Sequence, residues 1–409
     1  MQRTLNLGIA GLGIASSMIL PGVSQFKGFK IRAAADLNKG LRAEFENDYK
    51  GRSYSTVEDM CKDEELDVIW IATPNHLHCE HTLIAANSGK HIICTKPMAL
   101  SVQECQEMCY AADRNGVYLL CGQTYSMSPD IQAMRAQVDL GCLGRLTSIH
   151  AWMYTDWLLK PREQEELDET RGGGVVHRHA PHIIDTIRLL GGGRLRSVRG
   201  SVGRWMKERP CAGNFSAFME FEDGTPATIA YSGYGYFDTS ELVWGIGNRM
   251  YSQEERINVR KMLSDPDHDP LQLKAELKEK LRTQYISGGS GAKQMMPGGA
   301  GLNWFGVTIA SFERGDIRQS PKGILVYNDD GYHEIEVPQK RGVGTLEASE
   351  MYNAVVNNIP LEHDGRWAFA TAEAVAAILK SSDEQCEVML SHQCGVSMRK
   401  NFNFKEWSE

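Results

Sequence analysis

The chain of 409 residues has ten cysteines but no Cys-x-x-Cys pair. They stand singly at Cys61, Cys79, Cys94, Cys105, Cys109, Cys121, Cys142, Cys211, Cys386 and Cys394. That scatter argues against a zinc site built on cysteine spacing and against a disulfide framework. Reduced thiols filling apolar positions are expected instead. There is no Lys/Arg-rich stretch, and the formal net charge is -8, so the electrostatic footprint of nucleic-acid binding is missing. No internal repeat is visible. Beyond the N-terminus no apolar run reaches the roughly 18 residues that read as a membrane span. What is there is ordinary: 42% hydrophobic and 23% charged residues, enough for full cores without a staple. The length suggests two or three domains.

The N-terminus invites a misreading. Arg3 followed by the apolar stretch Leu5 to Leu20 looks like a secretory leader. The stretch is better used as the first strand and glycine turn of a nucleotide fold, which implies a cytoplasmic protein.

The first third alternates short apolar strands with helical segments. Strands are expected at Leu5–Ala10, Lys30–Ala35, Asp67–Ala72, His91–Cys94 and Val117–Cys121. Helices are expected from about Ile14, over Leu37–Tyr49, His76–Ser88 and Val102–Asn115. This rhythm predicts a parallel sheet with right-handed crossovers. After about residue 123 it changes. Leu146–Tyr154, Arg194–Trp205, Ser216–Glu222 and Ala227–Tyr234 read as an antiparallel sheet with turn signals such as Glu222-Asp223-Gly224. Gly174–Leu190 and Trp367–Leu379 read as helices. The expected fold is therefore α/β: a Rossmann domain over 1–123, then an α+β substrate and oligomerisation domain over 124–409. Within the latter, 245–301 reads as an insertion, a helix plus a Gly-rich loop at 288–301, suited to a lid or oligomer arm. An open sheet face would need covering, so a homodimer or homotetramer is expected.

Gly11-Leu12-Gly13-Ile14-Ala-Ser16 follows a strand and opens a helix. Gly11 permits the tight turn, Gly13 lets backbone approach a pyrophosphate, and Ser16 is small enough for close helix–strand packing. The diphosphate would sit at the helix N-terminus, where free N–H groups favour an anion. Asp36 ends the second strand, 20 residues after Ser16. A carboxylate there accepts hydrogen bonds from ribose hydroxyls and repels a 2′-phosphate, so NAD is favoured over NADP.

Two further segments end parallel strands: Thr73-Pro74-Asn75 and Thr95-Lys96-Pro97. Open α/β sheets bind ligands at that edge. A lysine beside a positive nicotinamide ring would be pushed towards its neutral form, able to take a proton from a hydroxyl. Position alone leaves Lys96 equally readable as a solvated lysine before a turn proline. His182 and Asp185 are three apart on one helix and share a face. The groups His76, His78, His81 and His177, His179, His182 lack a suitably spaced acidic or cysteine partner, so no metal is expected. His76 and His78 suit capping and lining of the cofactor cleft.

Together, Gly11-x-Gly13-x-x-Ser16, Asp36, the segments Ala72–His78 (ATPNHLH) and Gly89–Pro97 (GKHIICTKP), and Gly172-Gly-Gly…His182…Asp185 resemble the glucose–fructose oxidoreductase/inositol dehydrogenase (Gfo/Idh/MocA) family. The resemblance covers essentially the whole chain. It implies that Lys96 and His182 flank nicotinamide and substrate. Thr95 stands where the family usually has Glu, and Arg178 and Ala180 stand where Asp-x-Gly usually precedes the histidine. The segments 155–168, 180–182, 312–331 and 363–367 look like the branch that oxidises phthalate 4,5-cis-dihydrodiol. In such a substrate Arg178 and Arg162 could each clamp a carboxylate. The resemblance implies His179 and His182 near the substrate, with Tyr125, Tyr154 and Trp157 lining the pocket or serving in ordinary packing. The expected partner is a small acidic cyclic diol. Oxidation of a sugar, inositol or other cyclic polyol, and a non-catalytic NAD-sensing regulator, stand as alternatives.

Overall fold

The computed structural model describes residues 3–122, 125–246, 250–265, 305–337 and 344–396. The chain divides into two units, each with its own sheet.

The first unit holds a six-stranded sheet: β1 (Leu5–Ala10), β2 (Phe29–Ala35), β3 (Arg52–Tyr54), β4 (Val68–Ile71), β5 (His91–Thr95) and β6 (Leu119–Gly122). The order is β3-β2-β1-β4-β5-β6, every neighbour parallel. This is the doubly wound dinucleotide order, with its switch point between β1 and β4. A parallel sheet is covered on both faces, so its strands read as continuous apolar runs, and Val68-Ile-Trp-Ile71 is buried throughout. Helix limits follow local chemistry. The helix Val102–Asn115 opens on a Ser101/Glu104 capping box and stops at Gly116 in the left-handed region. The helix Lys39–Tyr49 starts two residues later than expected, because the Asn38 side chain accepts from the N–H groups of Gly40 and Leu41.

The sequence pattern suggests one boundary near residue 123, but the chain returns to the first unit over 344–372. The helix Thr345–Asn357 sends Ala348, Met351 and Tyr352 into the core of Leu5, Leu7, Val68 and Trp70. Ala368 and Phe369 join the core on Ile69, Ile71 and Cys94. The apolar faces of these late helices are thus part of the covering of the first sheet.

The second unit carries β7 (Leu146–Tyr154), β8 (Leu195–Gly203), β9 (Asn214–Phe221), β10 (Pro226–Ser232), β11 (Val307–Phe312), β12 (Gly315–Ser320), β13 (Gly323–Asn328), β14 (Gly331–Glu336) and β15 (Val388–Met389). Their order is β14-β13-β12-β11-β7-β10-β9-β8-β15. The sheet is mixed and mostly antiparallel; β7 and β10 alone run parallel among its described pairs. β9 and β10 alternate buried and accessible residues, as strands with one covered face do. The helix Gly174–Leu190 buries Ile183, Ile184 and Ile187 and has the length expected of it. Trp152 and Phe218 stay exposed at 42% and 47%.

Within 245–301, Gln253–Leu263 form a helix that the sequence reading did not place. Buried Arg256 donates to Asp238 (2.9 Å), and Asp156 accepts from the N–H groups of Met250 and Tyr251. Residues 266–304, the Gly-rich loop 288–301 among them, lie outside the described residues. All ten cysteines are free, seven of them buried. Among the described residues no helix is long and apolar enough to cross a membrane.

Burial sets a pH dependence. It pushes His81, His91 and His177 below the ordinary histidine value. Such groups stay neutral in the fold but take up a proton in the unfolded chain once pH falls below about 6.5. The unfolded state then binds more protons, so stability drops as pH drops. Urea midpoints are expected to fall between pH 7.5 and pH 5.5; an equal or higher midpoint at pH 5.5 would contradict this.

Candidate active site

The C-terminal edge of the first sheet gathers the candidate cofactor residues. Ala10 pairs with Ala35 and Ile71, and Ile71 pairs with Cys94. The next residues along each strand, Gly11, Asp36, Ala72 and Thr95, therefore sit side by side. Gly11 has φ +89°, and its N–H donates to Ala35 O at 2.8 Å. A Cβ at Gly11 would lie 2.8 Å from Ala72 O, whereas a Cβ at Gly13 would meet nothing within 4 Å. The first glycine is required by the fold, and the second leaves the space that a diphosphate needs. Ser16 is buried and donates to Gly13 O at 2.8 Å. Asp36 accepts from Leu12 N and from Asn38 N, both at 2.8 Å. It therefore fixes the glycine turn as well as presenting a carboxylate at the end of β2. Gly13 caps the helix beginning at Ile14, whose first N–H groups face the turn. These residues fit a dinucleotide: an open cradle, a helix start and an acid at the second strand.

Thr73 lies just past β4, Thr95 ends β5 with Lys96 next, and His78 ties the two segments together. Its Nδ1 lies 2.7 Å from Pro97 O and its Nε2 2.9 Å from Thr73 O. Thr95 Oγ1 is 3.4 Å from the same Nε2, and Thr73 Oγ1 is 2.9 Å from His81 Nδ1. His78 is 0% exposed, so it holds the two loops together from within and does not line an open cleft as expected from sequence. Burial holds it below the ordinary histidine value, opposed by the Pro97 and Thr73 carbonyls. Lys96 is partly exposed, Pro74 is exposed, and Asn75 and His76 lie in a short 3₁₀ turn.

In the second unit an aromatic cluster forms around the helix Gly174–Leu190. His182 packs against Tyr125 (4.8 Å between ring centroids) and Phe305 (4.7 Å). His179 packs on Phe305 and Trp157, and its Nδ1 bonds the Tyr231 hydroxyl. Burial raises the Tyr125 and Tyr231 hydroxyls, so both stay protonated. Tyr154 is placed elsewhere, against Phe237 at 5.4 Å. Arg162 stacks over Trp157 (4.1 Å) and donates to Glu166 at 2.9 Å. Arg178 lies 3.7 Å from the same carboxylate oxygen. The two arginines are thus not independent clamps: they share one internal anion. The Arg162–Glu166 spacing of four was legible in the sequence, but Phe305, Tyr231 and Glu166 were not singled out there. Among the described residues no group of three or more His, Cys, Asp or Glu is placed to hold a metal ion.

The fold and the glycine turn define a dinucleotide-dependent oxidoreductase. Residues 5–123 match the model of the oxidoreductase family with an NAD-binding Rossmann fold, and residues 131–246 match the GFO/IDH/MocA C-terminal domain. The chain belongs to the GFO/IDH/MocA oxidoreductase family; it binds NAD and is an enzyme. It is 31% identical to the 1-carboxy-3-chloro-3,4-dihydroxycyclohexa-1,5-diene dehydrogenase of Comamonas testosteroni, over 92% of this chain and 94% of that one. The crystal structure of a Bordetella bronchiseptica RB50 protein classed only as a dehydrogenase superimposes with a TM-score of 0.84 at 33% identity. That match covers 95% of this chain and all (100%) of the other. A levoglucosan dehydrogenase in complex with NADH and levoglucosan shares the fold, with a TM-score of 0.72 at 18% identity over 95% of this chain and 99% of that one.

Proposed function

We propose that this enzyme oxidises a cis-dihydrodiol of a carboxylated cyclohexadiene, with phthalate 4,5-cis-dihydrodiol, giving 4,5-dihydroxyphthalate, as the preferred substrate. The observation that carries the reading is the pairing of Arg178 with Arg162 where sugar-oxidising relatives are expected to hold an aspartate. Two guanidinium groups brought together at Glu166 favour an anionic ligand. The similarity to a dehydrogenase of a carboxylated cyclohexadiene diol supports the same class.

Gly11, Leu12, Gly13, Ile14, Ser16 and Asp36 would hold the NAD diphosphate and ribose, with Thr73, Pro74, Asn75, Thr95 and Pro97 around the nicotinamide end. When bound, NAD supplies a hydride acceptor. Lys96 takes the proton of one substrate hydroxyl as its carbinol carbon gives up hydride, and His182 holds or relays that proton. The resulting ketone tautomerises to the catechol, losing a ring C–H proton to solvent and taking up a proton on its carbonyl oxygen, and aromaticity drives the reaction. Tyr125, Trp157 and His179 pack around the ring. The enzyme acts in the cytoplasm as a homodimer or homotetramer, with a second copy covering the Trp152/Phe218 face.

The test is NADH formation, followed by absorbance, against a panel of substrates. Carboxylated cis-dihydrodiols are expected to be turned over at least ~10²-fold faster, as kcat/KM, than inositol, glucose or an uncarboxylated dihydrodiol. A higher rate with a neutral polyol would replace this reading by the sugar-type one.

A further inference from the structure

Arg209 has no place in the reading above, yet it is a buried cation of the second unit. It sits in the loop between β8 and β9, a loop fixed by local and longer contacts. The Arg209 N–H donates to Met206 O (3.1 Å) and the Cys211 N–H to Arg209 O (2.7 Å). The Val175 N–H donates to Ala212 O (2.9 Å), and a Cβ on Gly174 would lie 3.3 Å from Ala212. Ala212 N also donates to Glu169 Oε1. These bonds seat the loop on the start of the helix Gly174–Leu190, one turn before Arg178.

The Arg209 side chain is 3% exposed. Its Nε is buried with no hydrogen-bond partner, and among the described residues no carboxylate forms an ion pair with it. Its electrostatic neighbours include Arg162, which works against its charge, and Cys211 and Glu166, which support it. Arg162 and Arg178 both reach Glu166, whose Oε1 is already taken by Arg162 and whose Oε2 accepts from Glu163 N. The other acids nearby are committed: Glu165 to Arg171 (2.6 Å), Glu169 to Arg204 (2.6 Å), and Glu163 to capping a short helix. A buried guanidinium left without a counter-ion destabilises a fold, so a fold that keeps one points to a ligand that completes it.

We infer that Arg209, with Arg178 and Arg162, forms a carboxylate-binding subsite that anchors the acid group of an aromatic or cyclohexadiene ligand. The inference rests on the dihydrodiol reading for its substrate but not for its chemistry. A planar carboxylate would receive paired N–H donors from one guanidinium and charge from the others. Trp157, stacked under Arg162, and His179 beyond it supply an apolar wall for the ring.

The probe is phthalate, a stable dicarboxylate that cannot be oxidised, titrated calorimetrically into the full-length protein with NADH present. Benzoate and dimethyl phthalate serve as single-acid and neutral controls. Wild type is expected to bind phthalate and benzoate but not the diester. Arg209→Met should weaken phthalate at least about tenfold while leaving NADH affinity unchanged. The ligand-free Arg209→Met protein should melt no lower than wild type, because an unpaired buried charge has been removed. Arg209→Lys, which keeps charge but loses the fork, should bind with intermediate affinity and serves if the methionine variant does not fold. Phthalate affinity within twofold of wild type in both variants overturns the inference, as does wild-type binding of the diester as tight as that of the acid. Oxidation of a carboxylated dihydrodiol with KM unchanged by Arg209→Met removes the inference but leaves the proposed reaction standing. Arg209-dependent phthalate binding without any dihydrodiol oxidation does the reverse.

Discussion

Lys96→Ala is expected to lower turnover by ~10² or more while leaving NADH affinity within about twofold of wild type, the range in which a positioned general base contributes. The two halves of that expectation come from different strands. Lys96 directly follows β5, and its backbone is held by the bond between His78 and Pro97 O. The diphosphate cradle is built at β1 from Gly11, Gly13 and the helix start at Ile14, and it shares no hydrogen bond with the lysine. Removing the amine therefore takes away a proton acceptor without loosening the turn. Lys96→Arg separates the base from mere positive charge. An arginine keeps the charge but does not give up its proton, so it should be as inactive as alanine. Single-turnover NADH formation and NADH fluorescence titration measure both halves. Turnover within threefold of wild type for either variant takes Lys96 out of the reaction.

Gly11→Val is expected to weaken NADH at least ~10²-fold and to lower stability by about 1–3 kcal/mol, the usual cost of one strained residue. At φ +89° a β-branched side chain is strained, and its Cβ would be 2.8 Å from the Ala72 carbonyl oxygen. The turn can relieve the clash only by pulling away from β4, which breaks the Gly11–Ala35 bond and moves Leu12 off Asp36. Gly13→Ala is the control. Nothing lies within 4 Å of its added methyl, so the fold should melt unchanged while NADH binding weakens, because the methyl occupies the cofactor's space. If Gly13→Ala unfolds the protein, or if Gly11→Val binds NADH normally, the assignment of the two glycines is wrong.

These expectations lean on the part of the molecule that was legible from residues alone. Leu5–Ala10, Val102–Asn115 and Gly174–Leu190 have the limits that apolar periodicity, a capping box and turn glycines prescribe. β3 was not visible, because Arg52-Ser53-Tyr54 is short and lacks an apolar pattern; its place comes from pairing with β2. The parallel β7–β10 pair could not be read either, since alternating burial looks the same whichever way a neighbour runs. The four strands from Val307 to Glu336 went unpredicted, though Gly315, Gly323 and Gly331 each open one of them. The return of residues 344–372 to the first unit depends on which apolar face meets which core, and no local pattern encodes that.

The site divides the same way. The glycine turn and Asp36 are local motifs legible in the sequence, and the structure sets them side by side. The bonds of His78 were not legible, because a histidine that bridges Thr73 O and Pro97 O has the same sequence as one that faces a ligand. Arg162 and Arg178 were singled out through the substrate that the resemblance implies, but that both share Glu166 shows only in three dimensions, since the spacing of four speaks for Arg162 alone. Arg209 carries no motif. Its burial and its lack of a counter-ion are visible only in the fold.

In the proposed reaction hydride leaves a carbinol carbon of a carboxylated cis-dihydrodiol and the product becomes aromatic. The most direct measurement uses phthalate 4,5-cis-dihydrodiol deuterated at both carbinol carbons, with the purified enzyme and NAD, followed by mass spectrometry of both products. One deuterium is expected in NADH for each molecule of 4,5-dihydroxyphthalate formed, with the second lost to solvent on aromatisation. Recovery of unlabelled NADH, or of unchanged dihydrodiol while a neutral polyol is oxidised, would contradict the account.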